Sequence, residues 1–432
     1  MFTGISLTKF FKPIRKVNTK NILLFLAILG PGIITANVDN DAGGITTYSI
    51  AGARYGYTLL WVMLPTTVAL VVIQEMCARM GAVTGKGLAD LIRESFGVKV
   101  TFYVMIALLL TNMGNSVSEF AGIAASLEIF GISRYLSVPV SAVLVWLLIV
   151  KGSYKIVEKV FLIACTVYIA YPIAAFMAGP DWSTIIHATV VPTFKSDSGY
   201  LMTMIGVVGT TIAPWMQFYQ QSAVVEKGIT IEQYSFSRLD VIIGCVMAIV
   251  VAFFIVIACA STIHTQGLSI ETAADAAVAL KPLVGRHAST LFAFGLFNAS
   301  LFAACILPLS TSFYICEGLG WESGIDKDFR KAPQFFWLFT IIIILSAGTI
   351  LLPNVPLITI MFISQVVNGA VLPFVLLFML FLINDRQIMG DHTNSFMLNI
   401  ISWATVVTMI ILTILMTVDM VVPGLFSRLL TH

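Results

Sequence analysis

Apolar runs of roughly 20 residues recur along the chain, separated by short polar connections. A run of that length crosses the hydrocarbon core of a bilayer, about 30 Å thick, as a helix whose backbone hydrogen bonds are internal. Of the 432 residues, 58% are hydrophobic and 11% are charged, whereas about 25% are charged in typical soluble domains. The sequence therefore predicts an all-α polytopic membrane protein. It excludes a soluble enzyme, a disordered chain and a nucleic-acid-binding protein.

Gly, Pro and charged residues divide the apolar runs into eleven predicted spans. They lie at about 21–53, 58–79, 101–130, 137–151, 156–178, 199–224, 239–263, 288–318, 334–352, 356–384 and 397–421. Residues 1–20 form a basic tail, which we expect on the cytoplasmic side. Of the 24 Lys and Arg, 18 fall on the same side as this tail. That bias predicts a cytoplasmic N-terminus and a C-terminus outside.

Two spans are interrupted in mid-membrane. The first contains residues 39–44 (DNDAGG), and the sixth contains residues 209–215 (GTTIAPW). Pro214 removes a helical donor and paired glycines weaken a helix, so both stretches are predicted to unwind. Matching interruptions indicate two halves, 21–178 and 199–384, with 397–421 as an additional helix. This pattern is typical of the binding site of an inverted-repeat transporter.

Acidic residues accompany the first interruption. Asp39 and Asp41 lie at the break, Glu119 lies in the third span, and no Lys or Arg lies in the middle of any span. Buried negative charge without a fixed cation favours a mobile cation as the compensating charge. Other roles stay open at this point: a protonated carboxyl for Asp41, a vestibule or capping role for Asp39, and a helix–helix hydrogen bond for Glu119.

Several motifs resemble those of the NRAMP divalent-metal transporters, in the same order along the chain. They are residues 41–44 (DAGG), 51–57 (AGARYGY), 81–89 (GAVTGKGLA), 180–182 (PDW), 364–367 (SQVV) and 372–374 (LPF). The resemblance implies a LeuT-like inverted repeat of spans 1–5 and 6–10, with a metal held between broken helices 1 and 6. It implies a transporter rather than an enzyme, with the metal as substrate and no cofactor. We expect it in a bacterial inner membrane, surrounded by lipid and without an obligate protein partner.

The departures from the NRAMP pattern concern the metal. Gly44 stands where the family has Asn, and Ala213 and Trp215 replace the Met and His of its sixth helix. A thioether favours soft transition metals, whereas oxygen ligands suit Mg²⁺, Ca²⁺ and Mn²⁺. Mg²⁺ commonly binds one or two carboxylates and keeps several waters. A roomy oxygen site therefore predicts a partly hydrated Mg²⁺, with Mn²⁺ as a second substrate, as in an NRAMP-related magnesium-transporter branch.

The resemblance also supplies a ligand set. It implies Asp41 as the charged anchor, the carbonyls of Val38 and Thr210, and the side chain of Gln365 in the tenth span. Asn40 and Gln217 are expected to hold coordinated water.

The family's proton route is reduced to Glu119 here. Trp215 replaces its histidine, Ser116 replaces its aspartate, and no histidine lies in mid-span. The sequence therefore predicts uptake by alternating access without proton coupling. The alternative is a proton-coupled Mn²⁺ or Fe²⁺ symporter. An organic-solute carrier of the same fold is disfavoured because Asp41 would repel an anion. The sequence shows neither the motifs nor the mid-span histidine base of an intramembrane hydrolase. A metal sensor that does not transport stays open as an alternative, although we expect no soluble output domain in this chain.

Overall fold

The computed structural model describes residues 31–151, 168–195, 197–325, 327 and 329–421, and nearly all of its regular structure is helical. Its main helices are α1 Pro31–Val38, α2 Ala42–Tyr55, α3 Leu60–Thr84, α4 Leu88–Glu128, α5 Arg134–Val150, α6 Ala170–Met177, α7 Trp182–Val190, α8 Ser198–Thr211, α9 Pro214–Glu226, α10 Tyr234–Thr262, α11 Ala288–Leu319, α12 Pro333–Ile350, α13 Leu357–Asn384 and α14 Phe396–Val421. Within this part of the chain, eight helical segments are long and apolar enough to cross a membrane. The prediction of an all-α polytopic membrane protein is confirmed.

The predicted spans correspond to these helices in order. The first span is the pair α1–α2, the sixth is the pair α8–α9, and the eighth and tenth are α11 and α13. The basic tail, the start of the first span and most of the fifth lie outside the described residues. The division into two five-helix repeats and the membrane orientation stay predictions.

The helix of the third span begins before its predicted start. We expected it to begin at residue 101, but α4 begins at Leu88 and passes through Gly97, whose φ of 81° lies in the left-handed region. Charged residues before Gly97 suggested a connection. They lie instead on a short amphipathic helix with Leu88, Leu91 and Ile92 buried. Gly97 is not helical and separates this helix from the membrane-spanning part of α4, which begins just after it, near the predicted residue 101.

Small residues allow the helices near the breaks to approach closely. A Cβ on Gly244 of α10 would lie 2.5 Å from the carbonyl oxygen of Gly32 in α1. A Cβ on Gly122 of α4 would similarly overlap Ser300 of α11 and Ala42 of α2. Close packing of this kind drives association of helices in lipid. It places α4, α10, α11 and α13 around the two broken helices.

Candidate functional site

The first helix is broken at residues 39–41, within the predicted stretch 39–44, but Gly43 and Gly44 are already helical. α1 ends at Val38, and Asp41 is the N-cap of α2, where its Oδ1 accepts a 2.6 Å hydrogen bond from the Gly44 N–H. Aspartate is a preferred N-cap because its oxygen satisfies an unpaired N–H at the positive end of the helix dipole. The sequence therefore fixes both the break and the orientation of one Asp41 oxygen.

The sixth helix is broken at Ile212 and Ala213, a shorter break within the predicted stretch 209–215. α8 ends at Thr211, and Ala213 adopts extended backbone angles before Pro214 begins α9. A continuous helix would pair the Thr210 carbonyl with the backbone nitrogen of residue 214, but proline has no N–H. In the orientation that gives its amide hydrogen-bond partners, Gln217 donates to the carbonyls of Ala213 and Pro214, each at 2.7 Å. We expected Gln217 to hold a coordinated water, and in this structure its amide nitrogen stabilises the break.

The two breaks face each other. The hydroxyl groups of Tyr48 in α2 and Thr211 in α8 form a hydrogen bond of 2.8 Å. A Cβ on Gly44 would lie 3.2 Å from the Thr210 hydroxyl and 3.3 Å from Asp41 Oδ1, and it would overlap the carbonyl oxygen of Asp39. We expected Gly44 to leave open room. The structure instead fills that space with the Asp39 carbonyl, so the glycine permits a close approach of oxygen atoms.

Three acidic side chains are gathered at the start of α2. Asp39, Asp41 and Glu119 are 3%, 4% and 0% exposed, and Glu119 reaches the residue next to Asp41, where its Oε2 accepts from the Ala42 N–H. Oδ1 of Asp39 and Oε1 of Glu119 are buried without a protein partner. Buried carboxylates are costly unless charge or hydrogen bonds compensate them. The arrangement is suited to a cation.

Glu119 also explains why the Val38 carbonyl is available. A continuous helix would pair that carbonyl with the N–H of Ala42, but Ala42 donates its N–H to Glu119 Oε2 at 3.2 Å. The two predicted carbonyl ligands therefore lose their helical hydrogen-bond donors for different reasons. At Thr210 the donor position is a proline, and at Val38 the donor bonds instead to a carboxylate from a neighbouring helix. The sequence predicted the effect of the proline but not that of the carboxylate.

The remaining predicted residues lie around this centre. Nε2 of Gln365 lies so close to Gly43 that a Cβ there would overlap it, and Gln365 Oε1 accepts from Asn368 at 2.7 Å. Asn40 donates to the Ala248 carbonyl at 3.2 Å, while its own amide oxygen is buried without a partner. Trp215 is 2% exposed.

Tyr168 is a site residue that the sequence analysis missed. Its hydroxyl donates to the Asn40 carbonyl at 2.8 Å and thereby holds the first break in place. A tyrosine in a long apolar span gives no signal of such a role.

In the described part of the chain, no group of three or more His, Cys, Asp and Glu side chains is arranged to hold a metal. A metal at the breaks would therefore depend on one or two carboxylates together with neutral oxygens. Carboxylate, carbonyl and amide oxygens are the ligand class that suits hard divalent ions.

Two cavities lie on the side that is predicted to face outside, one between the ends of α2, α8 and α13 and the other between α4, α5 and the start of α13. One of about 420 Å³ is lined by Ile50, Arg54, Thr203 and Phe362. The other, of about 430 Å³, is lined by Glu128, Arg134 and Glu271, among others. Ile50 and Thr203 are at least about 10 Å along their helices from the breaks. The site itself is closed in this conformation, because Asp41 is only 4% exposed.

The fold and site define a class: a helical membrane transporter in which two broken helices enclose a buried acidic centre. A family model described as Nramp, natural resistance-associated macrophage protein-like, matches residues 32–419. The chain therefore belongs to the Nramp family, which confirms the predicted resemblance and a transporter rather than an enzyme.

Individual relatives agree with this assignment. The divalent metal cation transporter MntH of Deinococcus radiodurans is 28% identical, covering 91% of this chain and 90% of that protein. MntH of Bacillus subtilis is 26% identical, with 91% and 92% covered. A manganese transporter structure from Eremococcus coleocola shares the fold with a TM-score of 0.72 at 22% identity, covering 94% of this chain and 88% of that one. Mhp1, a nucleobase-cation-symport-1 family transporter, shares it with a TM-score of 0.56 at 13% identity, with 93% and 95% covered.

Proposed function

We propose that this protein carries divalent metal cations across the membrane by alternating access, with Mg²⁺ as the principal substrate and Mn²⁺ as a second one. The observation that carries the proposal is the meeting of Asp41 with the two broken helices. One carboxylate there is fixed by its own helix N-terminus, at 2.6 Å from the Gly44 nitrogen. The MntH relatives, named as divalent metal cation transporters, support the charge of the substrate.

The proposed ligands are all oxygen atoms. Asp41 supplies the charge, Val38 and Thr210 supply carbonyls that their helices no longer use, and Gln365 supplies an amide oxygen. Ala213 contributes no sulfur, so the set carries no preference for soft metals. Asn40, with an unpartnered buried oxygen beside the break, is the proposed holder of a coordinated water.

A partly hydrated ion requires more space than the closed site offers. The Asp39 carbonyl fills the position beside Gly44, and α2 and α8 are tied by the bond between Tyr48 and Thr211. We infer that the ion enters when α2, α8 and α13 move apart beside the cavity of about 420 Å³. Whatever water the ion keeps would then occupy the space near Ala213.

Uptake is proposed to be uncoupled from protons. Oε2 of Glu119 accepts from the Ala42 N–H at the start of α2, which supports a capping role for this residue. Trp215 and Ser116 carry no titratable group. An inside-negative potential of 100 mV favours entry of a doubly charged ion by about 4.6 kcal/mol, which suffices as a driving force.

The experiment is uptake of Mn²⁺ and Mg²⁺ into proteoliposomes of the purified protein, with a pH-sensitive dye inside. Millimolar Mg²⁺ should slow Mn²⁺ uptake, and uptake of either ion should leave the internal pH unchanged. If Mg²⁺ does not compete and Mn²⁺ uptake acidifies the lumen, the protein is a proton-coupled manganese transporter. The manganese transporter of Eremococcus coleocola favours Mn²⁺ as the substrate in that second candidate.

A further inference from the structure

A chain of buried amide side chains leads from the metal site to α11. Asn112 and Asn115 on α4 and Asn368 on α13 are each 1% exposed. Asn115 and Asn368 form a reciprocal pair with two 3.0 Å bonds, Asn115 also donates to Asn112 Oδ1, and Asn368 also donates to Gln365 Oε1. These four residues, Asn112, Asn115, Asn368 and Gln365, are called the amide ladder below.

The direction of every bond in the amide ladder is fixed at its α11 end. Asn112 Nδ2 donates to the Leu307 carbonyl at 2.9 Å, and a carbonyl oxygen can only accept. Thr311 uses its hydroxyl hydrogen on the same carbonyl, so it too must accept from Asn112. The Asn112 oxygen therefore faces Asn115. Asn115 has to present its NH₂ group to that oxygen, and its own oxygen then receives Asn368.

The consequence reaches Gln365. Asn368 directs one N–H to Asn115 and the other to Gln365 Oε1. The Gln365 oxygen is therefore held toward Asn368, and its nitrogen lies against Gly43 at the start of α2. An NH₂ group repels a cation. In this conformation the amide ladder presents the wrong end of Gln365 to the metal site.

We propose that Asn368 and Asn115 are positioning residues that hold the Gln365 oxygen out of the metal site until an ion competes for it. The inference rests on the proposed function, in which Gln365 is a ligand. On binding, the Gln365 amide turns over and its oxygen leaves Asn368 for the ion, which breaks a hydrogen bond within α13. The amides do not titrate, so this exchange is independent of pH.

Binding of Mg²⁺ and Mn²⁺ to purified full-length protein, measured by calorimetry at pH 6 and pH 8, tests the proposal. Asn368→Leu removes the competing donor and should tighten binding about fivefold, the equivalent of one net hydrogen bond between neutral groups. Asn384→Leu is the matched control, because Asn384 lies on the same helix and bonds Asn399 and the Leu380 carbonyl. It should leave Kd unchanged.

Gln365→Ala should weaken binding, and adding Asn368→Leu to it should change nothing further. If Asn368→Leu does not fold, Asn112→Ala removes the α11 anchor while leaving Asn368 and Gln365 in place, and it should also tighten binding. A merely structural role for the asparagines predicts weaker binding in both variants.

The proposal is overturned if Gln365→Ala weakens binding while the asparagine variants bind equally well or more weakly. It is also overturned if Gln365→Ala leaves Kd unchanged. Failure of the proposed function gives a different result, namely a wild-type protein that binds neither ion.

Discussion

Selectivity is expected to depend on the side chain at position 213. Ala213 is 2% exposed, has an extended backbone and is the N-cap of α9. The NRAMP pattern has Met at this position. Ala213→Met adds a thioether beside the proposed site, but it also adds bulk at a buried position. Extra atoms in a packed interior cost about 1–3 kcal/mol. The effect of sulfur therefore has to be separated from the effect of size.

Ala213→Leu provides that separation, because Leu and Met have similar volumes and only Met has sulfur. Both variants should lose thermal stability by a similar amount. The Leu variant should weaken Mg²⁺ and Cd²⁺ binding alike, whereas the Met variant should change the ratio of the two dissociation constants in favour of Cd²⁺. We expect a shift on the order of tenfold, about 1.4 kcal/mol, from one added soft ligand.

The assay is calorimetric titration of each variant with Mg²⁺, Mn²⁺ and Cd²⁺, accompanied by thermal unfolding. Equal Cd²⁺ to Mg²⁺ ratios in the Met and Leu variants would refute the reasoning. They would mean that the residue at position 213 sets only the size of the site, and that selectivity among ions is decided elsewhere.

Three further predictions concern the surroundings of the site. Gly44→Ala should lower the free energy of unfolding by about 1–3 kcal/mol, because its Cβ would overlap the Asp39 carbonyl. The control Gly114→Ala should not lower it, because no atom lies within 4 Å of the added Cβ; equal unfolding midpoints of the two variants would refute the clash. Glu119→Gln retains an acceptor for the Ala42 N–H, so the variant should fold, and its transport rate should differ from that of wild type. Neither rate should depend on pH between pH 6 and 8. If the wild-type rate rises as pH falls while the rate of the variant stays constant, Glu119 is a proton carrier. The Tyr55 hydroxyl donates to Asp197 Oδ2 at 2.7 Å and lowers the pKa of that carboxyl group. The stabilisation is therefore present above the ordinary Asp pKa and is lost as pH falls through the lowered pKa. The unfolding midpoints of wild type and Tyr55→Phe should differ at pH 7 and converge toward pH 3, and a difference independent of pH would contradict this.

Much of the fold could be predicted because its signals are local. Span length, the proline at position 214 and the Asp-rich break at residues 39–41 are each legible in a short stretch of sequence. The eighth span, predicted at 288–318, is observed as Ala288–Leu319. The third span was predicted to begin at residue 101, just after the kink at Gly97. The short helix before the kink was missed because its charged residues were taken for a connection, although an amphipathic helix tolerates them on one face.

The environment of the site was less accessible because it depends on residues distant in sequence. Glu119 releases the Val38 carbonyl only because α4 packs against the start of α2, 77 positions away. The asparagines of the amide ladder were visible as polar residues in apolar spans, but their order and hydrogen-bond direction follow from the packing of three helices. The space expected beside Gly44 is filled by a backbone carbonyl of the break, which no side-chain pattern reports.

Binding of Mn²⁺ to Asp41→Asn, compared with wild type by calorimetry, tests the central claim most directly. The asparagine oxygen still accepts from the Gly44 N–H, so the cap of α2 survives while the charge is lost; Asp181→Asn, another N-cap aspartate, is the matched control. A dication about 4 Å from a carboxylate gains about 8 kcal/mol before desolvation at an effective dielectric of 20. We therefore predict at least a hundredfold weaker binding in Asp41→Asn and none of that loss in Asp181→Asn. A folded Asp41→Asn protein that binds Mn²⁺ within about twofold of wild type would contradict the account.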